Sequence, residues 1–300
     1  MADDGRQGGG KRRWGAEQRL EFVELRAFWD GSLNRGDIRE QFGVSAPQAS
    51  ADIAAYMDLA PGNLVYDGSL KCYVSAGDFT ARLVTPSAEA YLRQLIETHV
   101  GAGHQGNACL IAAPSFATTP MPGRAVDAQV LRALLAIMRQ QASVEIFYQS
   151  MSAARPAPQW RRVTPHSLAT DGLRWHVRSY CHEDNSFKDF VLSRIRDSRS
   201  LAEAGPLGSS DIDWNTSTDV CLVPNPDLSL EQQAAVDWDY QMGRTGVLKL
   251  KVRRALLYYL RQRLRLDVPY DRPAERPVVL ADSRRFDEEI DRATGAVDSR

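Results

Sequence analysis

Between residues 143 and 196 the chain reads SVEIFYQSM, then WRRVTPHSL, DGLRWHVRSYC and KDFVLSRI, and within it His166, Arg178, Arg194, Tyr148 and Ser150 fall at strand-like spacing. Each piece alternates apolar with polar residues or carries β-branched and aromatic ones. Gly, Asp, Asn or Pro separates the pieces, which predicts four short antiparallel strands and a small barrel or curled sheet. With a period of two, Val144, Ile146, Tyr148 and Ser150 share a face, so Tyr148 and Ser150 leave a core face together at the strand's end. His166, Arg178, Tyr180 and Arg194 arrive from neighbouring strands. Guanidinium groups fork onto phosphate or carboxylate, and aromatic faces stack on bases. The set therefore suits an anionic, stackable ligand such as a nucleotide or oligonucleotide. The ordinary alternative is a compact β domain whose aromatics fill its core.

The same stretch holds His166, His176 and His182 with Asp171, Glu183 and Asp184, which invites an acid–base or metal reading. No H-E-x-x-H, G-x-S-x-G or phosphate-cradling glycine loop accompanies them. Cys181 and His182 are adjacent, a poor geometry for a nucleophile and its base. His176, between Trp175 and Val177, faces opposite to both and is expected at the surface or on the barrel wall. Cys72, Cys109, Cys181 and Cys221 are widely separated without a C-x-x-C pair, which argues against zinc and for reduced cytosolic thiols. Neither catalysis, nor a metal, nor a cofactor is expected.

The strand pattern also carries a resemblance. Arg174-Trp175-His176-Val177 sits where the WYL domain of bacterial transcription regulators has its Trp-Tyr-Leu signature. The surroundings agree: Tyr148-x-Ser150, Arg162-Val163-x-Pro165-His166, Tyr180-Cys181 and Lys188-x-Phe190-x-Leu192-x-Arg194-Ile195. Only the tryptophan of the signature is kept, and Val191 stands where many members carry arginine. Over nearly its whole length the chain resembles the WYL repressors that accompany bacterial anti-phage operons of the CBASS and BREX types. The resemblance implies an α+β multidomain protein: an N-terminal winged helix-turn-helix, a central SH3-like (Sm-like) WYL β-barrel and a C-terminal α/β dimerisation extension. It also implies a homodimer and a ligand site at Tyr148, Ser150, His166, Trp175, Arg178, Tyr180 and Arg194.

Composition is consistent with several domains. Three hundred residues with 43% hydrophobic content bury more than one core. No apolar run approaches membrane length, and MADDGRQGGGKRRWG lacks a signal core, so a cytoplasmic protein is expected. The net charge of -1 is uneven: residues 1–80 hold 9 basic against 12 acidic residues, and residues 124–200 hold 12 against 7. The basic segment is the one with the ligand pattern. A DNA reader in the acidic segment needs its positive charge clustered.

The elements that position these residues follow from pattern. Residues 1–13, Gly-rich and polar, are expected to be a disordered arm whose Lys11, Arg12 and Arg13 contact phosphates. Residues 14–80 form the predicted winged helix-turn-helix. Phe22, Leu25 and Trp29 mark a helix from Glu17 to Trp29, Ile38 and Phe42 a second, and Gly43 a tight turn. Ser45 caps a third helix with Pro47 in its first turn and Gln48 completing an S-x-x-Q box. Ala49, Ile53, Tyr56 and Met57 point inward there; Pro47, Gln48, Ala51 and Asp52 point outward. Two short helices joined by a glycine turn, the second opening on small polar residues, are the arrangement whose second helix enters the major groove. Ser45, Pro47 and Gln48 are the candidate readers. Leu64–Tyr66 and Leu70–Val74 around Asp67-Gly68-Ser69 predict a hairpin wing, with Lys71, Arg35 and Arg39 as phosphate contacts.

Residues 81–142 are a predicted helical linker, with helices at 87–98 and 127–141, and 143–200 the ligand-sensing domain. Residues 215–300 form the extension: a helix capped by Ser229, a strand at 247–252, a helix at 254–266, a strand at 277–280 and a last helical piece at 286–290. The expected partners are an inverted-repeat duplex, an anionic nucleotide-derived ligand and a second copy of the chain, without a membrane. On that reading, Arg178→Ala and Arg194→Ala leave promoter binding intact and abolish derepression. The competing reading is a single-stranded nucleic-acid-binding module without promoter specificity.

Overall fold

Apolar stripes at helical spacing close the first of three cores. Phe22, Val23 and Ala27 of α1 (Gln7–Asp30) pack on Ile38 of α2 (Arg35–Phe42) and on Ala49, Ile53 and Tyr56 of α3 (Ala46–Leu59), all buried. The computed structural model describes residues 7–100 and 114–294, which divide into two compact units, Met1–Met121 and Pro122–Arg300. In the first unit α1 begins at Gln7, so the expected disordered arm is helical from that residue; once the packed turns exist, each further turn adds hydrogen bonds at little cost. The side chains of Lys11, Arg12 and Arg13 lie outside the described residues.

Asn34 and Asp37 cap α2 reciprocally, and Gly43 ends it at φ +64°, the left-handed conformation that glycine adopts without strain. Ser45 caps α3 by accepting the Gln48 amide, but the expected box is half formed. The Gln48 side chain donates instead to Asp52. Asp52 is a correction: expected outward, it is buried beneath Arg19 of α1, which holds it at 2.7 Å. The wing is the antiparallel pair β2 (Leu64–Asp67) and β3 (Cys72–Ser75), with β1 (Ser32–Leu33), too short to show in the sequence, on the other side of β3. Asp67 Oδ1 accepts the amides of Ser69 and Leu70, and the chain reverses through a positive φ at Lys71, not at Gly68. From the wing the chain crosses back over α1, where buried Glu24 accepts the amides of Arg82, Leu83 and Val84. It then enters α4 (Ala88–Val100), whose Tyr91 stacks on Trp29 at 4.6 Å.

In the second unit α5 (Ala128–Gln140), N-capped by Asp127, buries Val130, Leu134 and Ile137 against the sheet core. It is part of that core and not the linker expected for 81–142, because its apolar stripe is covered by strands. The sheet is made of β4 (Ser143–Tyr148), β5 (Gln159–Thr170), β6 (Trp175–Cys181), β7 (Ser186–Val191) and β8 (Ile195–Ala202), antiparallel in the order β7-β6-β5-β4-β8. The expected barrel does not close. Among the described residues no ladder joins β7 to β8; a single 3-10 turn, Leu192–Arg194, carries the chain from one edge to the other, leaving an open, curled sheet. The fifth strand lies in polar sequence: as an edge strand with one solvated face, β8 needs few apolar residues.

Beyond β8, Asp211 caps the short helix α6 (Ile212–Asn215). A three-stranded antiparallel sheet follows, with β9 (Ser217–Pro224) between β10 (Leu248–Arg253) and β11 (Val278–Leu280). The central strand is not among those expected from the sequence. Its SDCV face is polar at one end, and Val220 and Leu222 alone are fully buried. Helices α7 (Leu230–Asp239), α8 (Leu257–Arg263) and α9 (Ser283–Thr294) complete the third core, with Val236, Leu257, Phe286 and Ile290 inside. No helix among the described residues is long and apolar enough to cross a membrane.

Candidate functional site

Two hollows, one in each unit, gather the charged residues. In the first unit, Asn34, Arg35, Gly36 and Arg39 from the start of α2, Ala46 and Ser50 from α3, and Tyr66, Lys71 and Tyr73 from the wing line a space of about 550 Å³. Arg35, Arg39 and Lys71 are all exposed. Among the described residues none of the three meets a carboxylate, while Arg19 and Arg26 of the same unit are spent on Asp52, Asp30 and Asp37. The positive charge that the acidic segment lacked on average is therefore clustered at this face. Ser45, Pro47 and Gln48 stand exposed at the start of α3 but do not line the hollow. The Gln48 amide is engaged by Asp52 at 3.0 Å.

In the second unit a hollow of about 420 Å³ lies between the sheet and the C-terminal helices. Tyr148 and Ser150 reach it from the end of β4, Arg161 from β5, Arg178 from β6 and Phe187, Lys188 and Asp189 from β7; Arg254, Tyr258 and Tyr259 form the opposite wall. Strand periodicity puts Arg178 and its directly opposed partner Asp189 on one face of the sheet and Lys188 on the other. Both faces contribute because β7 is an edge strand. Tyr148 is mostly core: its ring packs edge-on to Phe190 at 5.0 Å, and its hydroxyl oxygen accepts the Val191 amide.

Arg178 is not a loose cation. Asp211 holds it at two points, 2.8 and 3.2 Å, and Asp189 stands 3.6 Å from its Nη1. Burial pushes the Asp211 carboxyl up, but its hydrogen bond with His166, then those from Arg178 and the guanidinium charge, outweigh burial and hold it well below the usual carboxylate range. Asp189 goes the other way: burial pushes its carboxyl up, although Arg178 and the Tyr259 hydroxyl, which donates at 3.0 Å, pull against it. Asp184 collects Arg155, Arg161 and Lys188, three residues of the hollow's wall, and is held far below the ordinary range by the Arg155 hydrogen bond first and then, against burial, by Lys188. Cys181 beside it is buried among carboxylates, which pushes its thiol up to about 11 and keeps it protonated.

The seven residues expected at a ligand site do not all meet. Tyr148, Ser150 and Arg178 line the hollow between the sheet and the C-terminal helices. His166 does not, because a bulge between Pro165 and Ser167 turns it away from the register. Its Nδ1 pairs with Ser167 and its Nε2 with Asp211, beside a second space walled by Thr164 and Trp214. Tyr180 packs against Phe187 and hydrogen-bonds Asn185. Trp175 is half exposed at the start of β6, and Arg194 sits in the turn after β7 with its carbonyl accepting the Gln149 amide. His176, expected at the surface or barrel wall, is fully buried: Tyr259 of α8 covers it, ring to ring at 4.6 Å, and burial lowers its basicity. Sequence reasoning missed Arg155, Arg161, Lys188, Asp189 and Tyr259. Arg161 and Lys188 were legible as strand residues alternating with Trp160 and Phe187; Tyr259 was not, since nothing local says which strand a distant helix will cover.

Comparison with known proteins adds to the geometry. Residues 15–97 match the winged helix-turn-helix domain of the BrxR transcriptional regulator, 129–200 the WYL domain, and 217–286 the C-terminal dimerization domain of the BrxR transcriptional regulator. The chain is 38% identical over 277 residues to the DNA-binding transcriptional repressor CapW of Escherichia coli (strain KTE188), covering 92% of this chain and 91% of that one. It is 37% identical to the CapW repressor of Pseudomonas aeruginosa, covering 92% and 90%, and 36% identical to that of Stenotrophomonas maltophilia, covering 91% of each. With a winged helix, a WYL sheet and a C-terminal dimerisation module matched in order, and relatives alike along nine-tenths of its length, the chain belongs to the WYL-domain transcriptional regulators of the BrxR and CapW type.

Proposed function

We propose that this protein is a homodimeric transcriptional repressor that binds an inverted-repeat duplex operator through its winged helices. A nucleotide-derived anion in the hollow between the WYL sheet and the C-terminal helices relieves repression, and the genes controlled are those of a phage-defence operon. The observation that carries the DNA reading is the set of three exposed cations, Arg35, Arg39 and Lys71, which meet no carboxylate among the described residues, beside the exposed start of α3. Phosphate contacts from the wing and α2 fix register, and the small residues at the α3 start let its backbone approach base edges. The C-terminal match to a dimerisation domain supports two such heads on one operator. Relief of repression requires the ligand to favour the dimer geometry that does not fit DNA.

Anisotropy titration of the full chain against its own promoter, a scrambled duplex and the corresponding single strand tests this. A palindromic duplex is expected to win. Equal binding to any duplex, or preference for the single strand, is the outcome that sinks promoter recognition and leaves a single-strand-binding module. Two heads supply six of these cations to phosphate, so affinity is expected to fall about a thousandfold between about 50 and 200 mM salt. Lys71→Ala, removing one contact per head, is expected to shallow the log–log salt slope by about two units. An unchanged slope removes the wing from the contact set.

A further inference from the structure

One helix of the C-terminal module carries an apolar face that the described residues leave in water. α7 is fixed at its start by Ser229 and Gln232, which cap it reciprocally, and it buries only Val236, with Gln233 and Asp237 half-covered on the same side. On the other side Leu230, Ala234 and Trp238 recur at i, i+4 and i+8, a spacing that a helix stacks into one stripe. Leu230 is 79% exposed and Trp238 84%, and Ala234 and Ala235 are exposed between them. A single exposed leucine is ordinary. A tryptophan in line with it on a capped helix, left almost wholly in water, forgoes the burial of roughly 150–250 Å².

The rest of the module offers less. β10 is an edge strand, but Lys249 and Lys251 stand exposed on it, and two copies pairing there would set lysines against lysines. β11, the other edge, is three residues long. α8 is engaged by the WYL sheet through Tyr259, and α9 turns Phe286 and Ile290 into the core while showing Arg284, Arg285, Asp287 and Glu288 to solvent. Within the residues matched to a dimerisation domain, 217–286, the other exposed large apolar side chains are Tyr240 and Val268, at 40% and 39%. The same match contains the whole of α7.

We propose that a second copy of the chain docks on this stripe, the two α7 helices lying antiparallel across a two-fold axis at Ala234, with Leu230 of each packed on Trp238 of the other. This rests on the homodimer reading above and gives the dimer its surface. A two-fold axis sets a residue on it against its own copy, and residues equally far to either side against each other. Leu230 and Trp238 each lie four residues, about 6 Å of helix, from Ala234. A small residue at the crossing lets the helix axes approach to ~8–10 Å, and tryptophan is among the residues that most often anchor an interface. A standard interface covers about 800 Å² on each partner, so the stripe is the centre of a wider contact.

Sedimentation equilibrium of the full chain tests the assignment. The unaltered protein is expected at twice the mass of one chain. Trp238→Ala removes two anchors per dimer, and at about thirtyfold for each the dissociation constant is expected to rise about a thousandfold. Ala234→Glu and Ala234→Arg put a charge against its own copy at the axis and are each expected to sediment as monomers. Both positions are exposed and both new residues are good helix formers, so circular dichroism should report an unaltered fold. An equimolar mixture of the two Ala234 variants is expected to regain the dimer, which a merely structural defect could not do. Variants that stay dimeric overturn the proposal and leave the homodimer standing on another surface. Monomeric variants whose mixture stays monomeric overturn the antiparallel pairing at Ala234. An unaltered protein that sediments as a monomer overturns the homodimer reading as well.

Discussion

Glu24→Ala is expected to lower the stability of the winged-helix unit by on the order of 4 kcal/mol while leaving the WYL and C-terminal unit standing. Glu24 is completely buried on α1. Its two oxygens accept the amides of Arg82, Leu83 and Val84 at 2.7 to 2.9 Å and the Tyr56 hydroxyl at 3.1 Å. Removing the carboxylate strands a buried hydroxyl and three backbone donors on the α1 side of a segment whose own side chains are exposed or half-buried, each costing roughly 1 kcal/mol. A unit of this size has only ~5–15 kcal/mol in all. Calorimetry is expected to show the transition of the first unit falling by roughly 20 °C, with a separate transition for the second unit unmoved. Glu24→Gln separates charge from shape: it keeps one oxygen but turns a donor toward amides that also donate, so most of the loss should persist. A shift of only a few degrees for both variants means that water replaces the carboxylate at the 82–84 segment and that Glu24 is not what ties α1 to the connection leading into α4.

The contrast between Glu24 and the two hollows explains what the sequence could and could not convey. Local signals were reliable. Ser45, Gly43, the Asp67 turn and the helical stripes of α1 and α3 depend on neighbours within four residues, and they specify the winged helix almost element by element. Strand alternation likewise located β4 to β7. Wherever a residue's role is fixed by something distant, the reading failed. Asp52 looks like an outward helix position until Arg19 arrives from 33 residues earlier. His176 looks exposed until Tyr259 covers it. The barrel stayed open because edge pairing is decided by where β8 finds a partner, and β8 is polar on the face that would have announced it. The site residues divide the same way. Tyr148, Ser150 and Arg178 share the hollow because period-two geometry carries them there, while the bulge that diverts His166 leaves no trace in composition. The cations that crowd Asp184 could be seen one by one, but not as a cluster.

Arg178 illustrates why the simplest test of the ligand site will mislead. Read from the sequence, Arg178→Ala removes a ligand contact and spares the fold. In the structure the guanidinium is buried and held bidentately by Asp211, which also accepts His166 Nε2 and caps α6 through the Trp214 amide. Breaking a buried pair from one side costs about 3–5 kcal/mol, because the other charge remains without compensation. Arg178→Ala and Asp211→Ala are each expected to lose that much in chemical denaturation, Asp211→Ala adding the loss of a helix cap, about 1 kcal/mol. The pair Arg178→Ala/Asp211→Ala should lose less than the sum of the singles, by about 1–3 kcal/mol. Acid sharpens the test. Asp211 has a folded pKa depressed below its unfolded value, so its contribution is complete above about pH 4 and is lost as pH falls further toward the folded value. Asp189, pushed up by burial, works in the opposite sense: what it contributes is present below about pH 4 and fades as pH rises through its folded value. Removing Asp211 is therefore expected to flatten the acid limb of the stability curve while the slope on its neutral side stays. Additive single and double losses, with acid limbs of equal steepness, would show that Arg178 is uncoupled from Asp211 and restore it as a free cation for the ligand. A coupled result makes any failure of Arg178→Ala to derepress a matter of fold first.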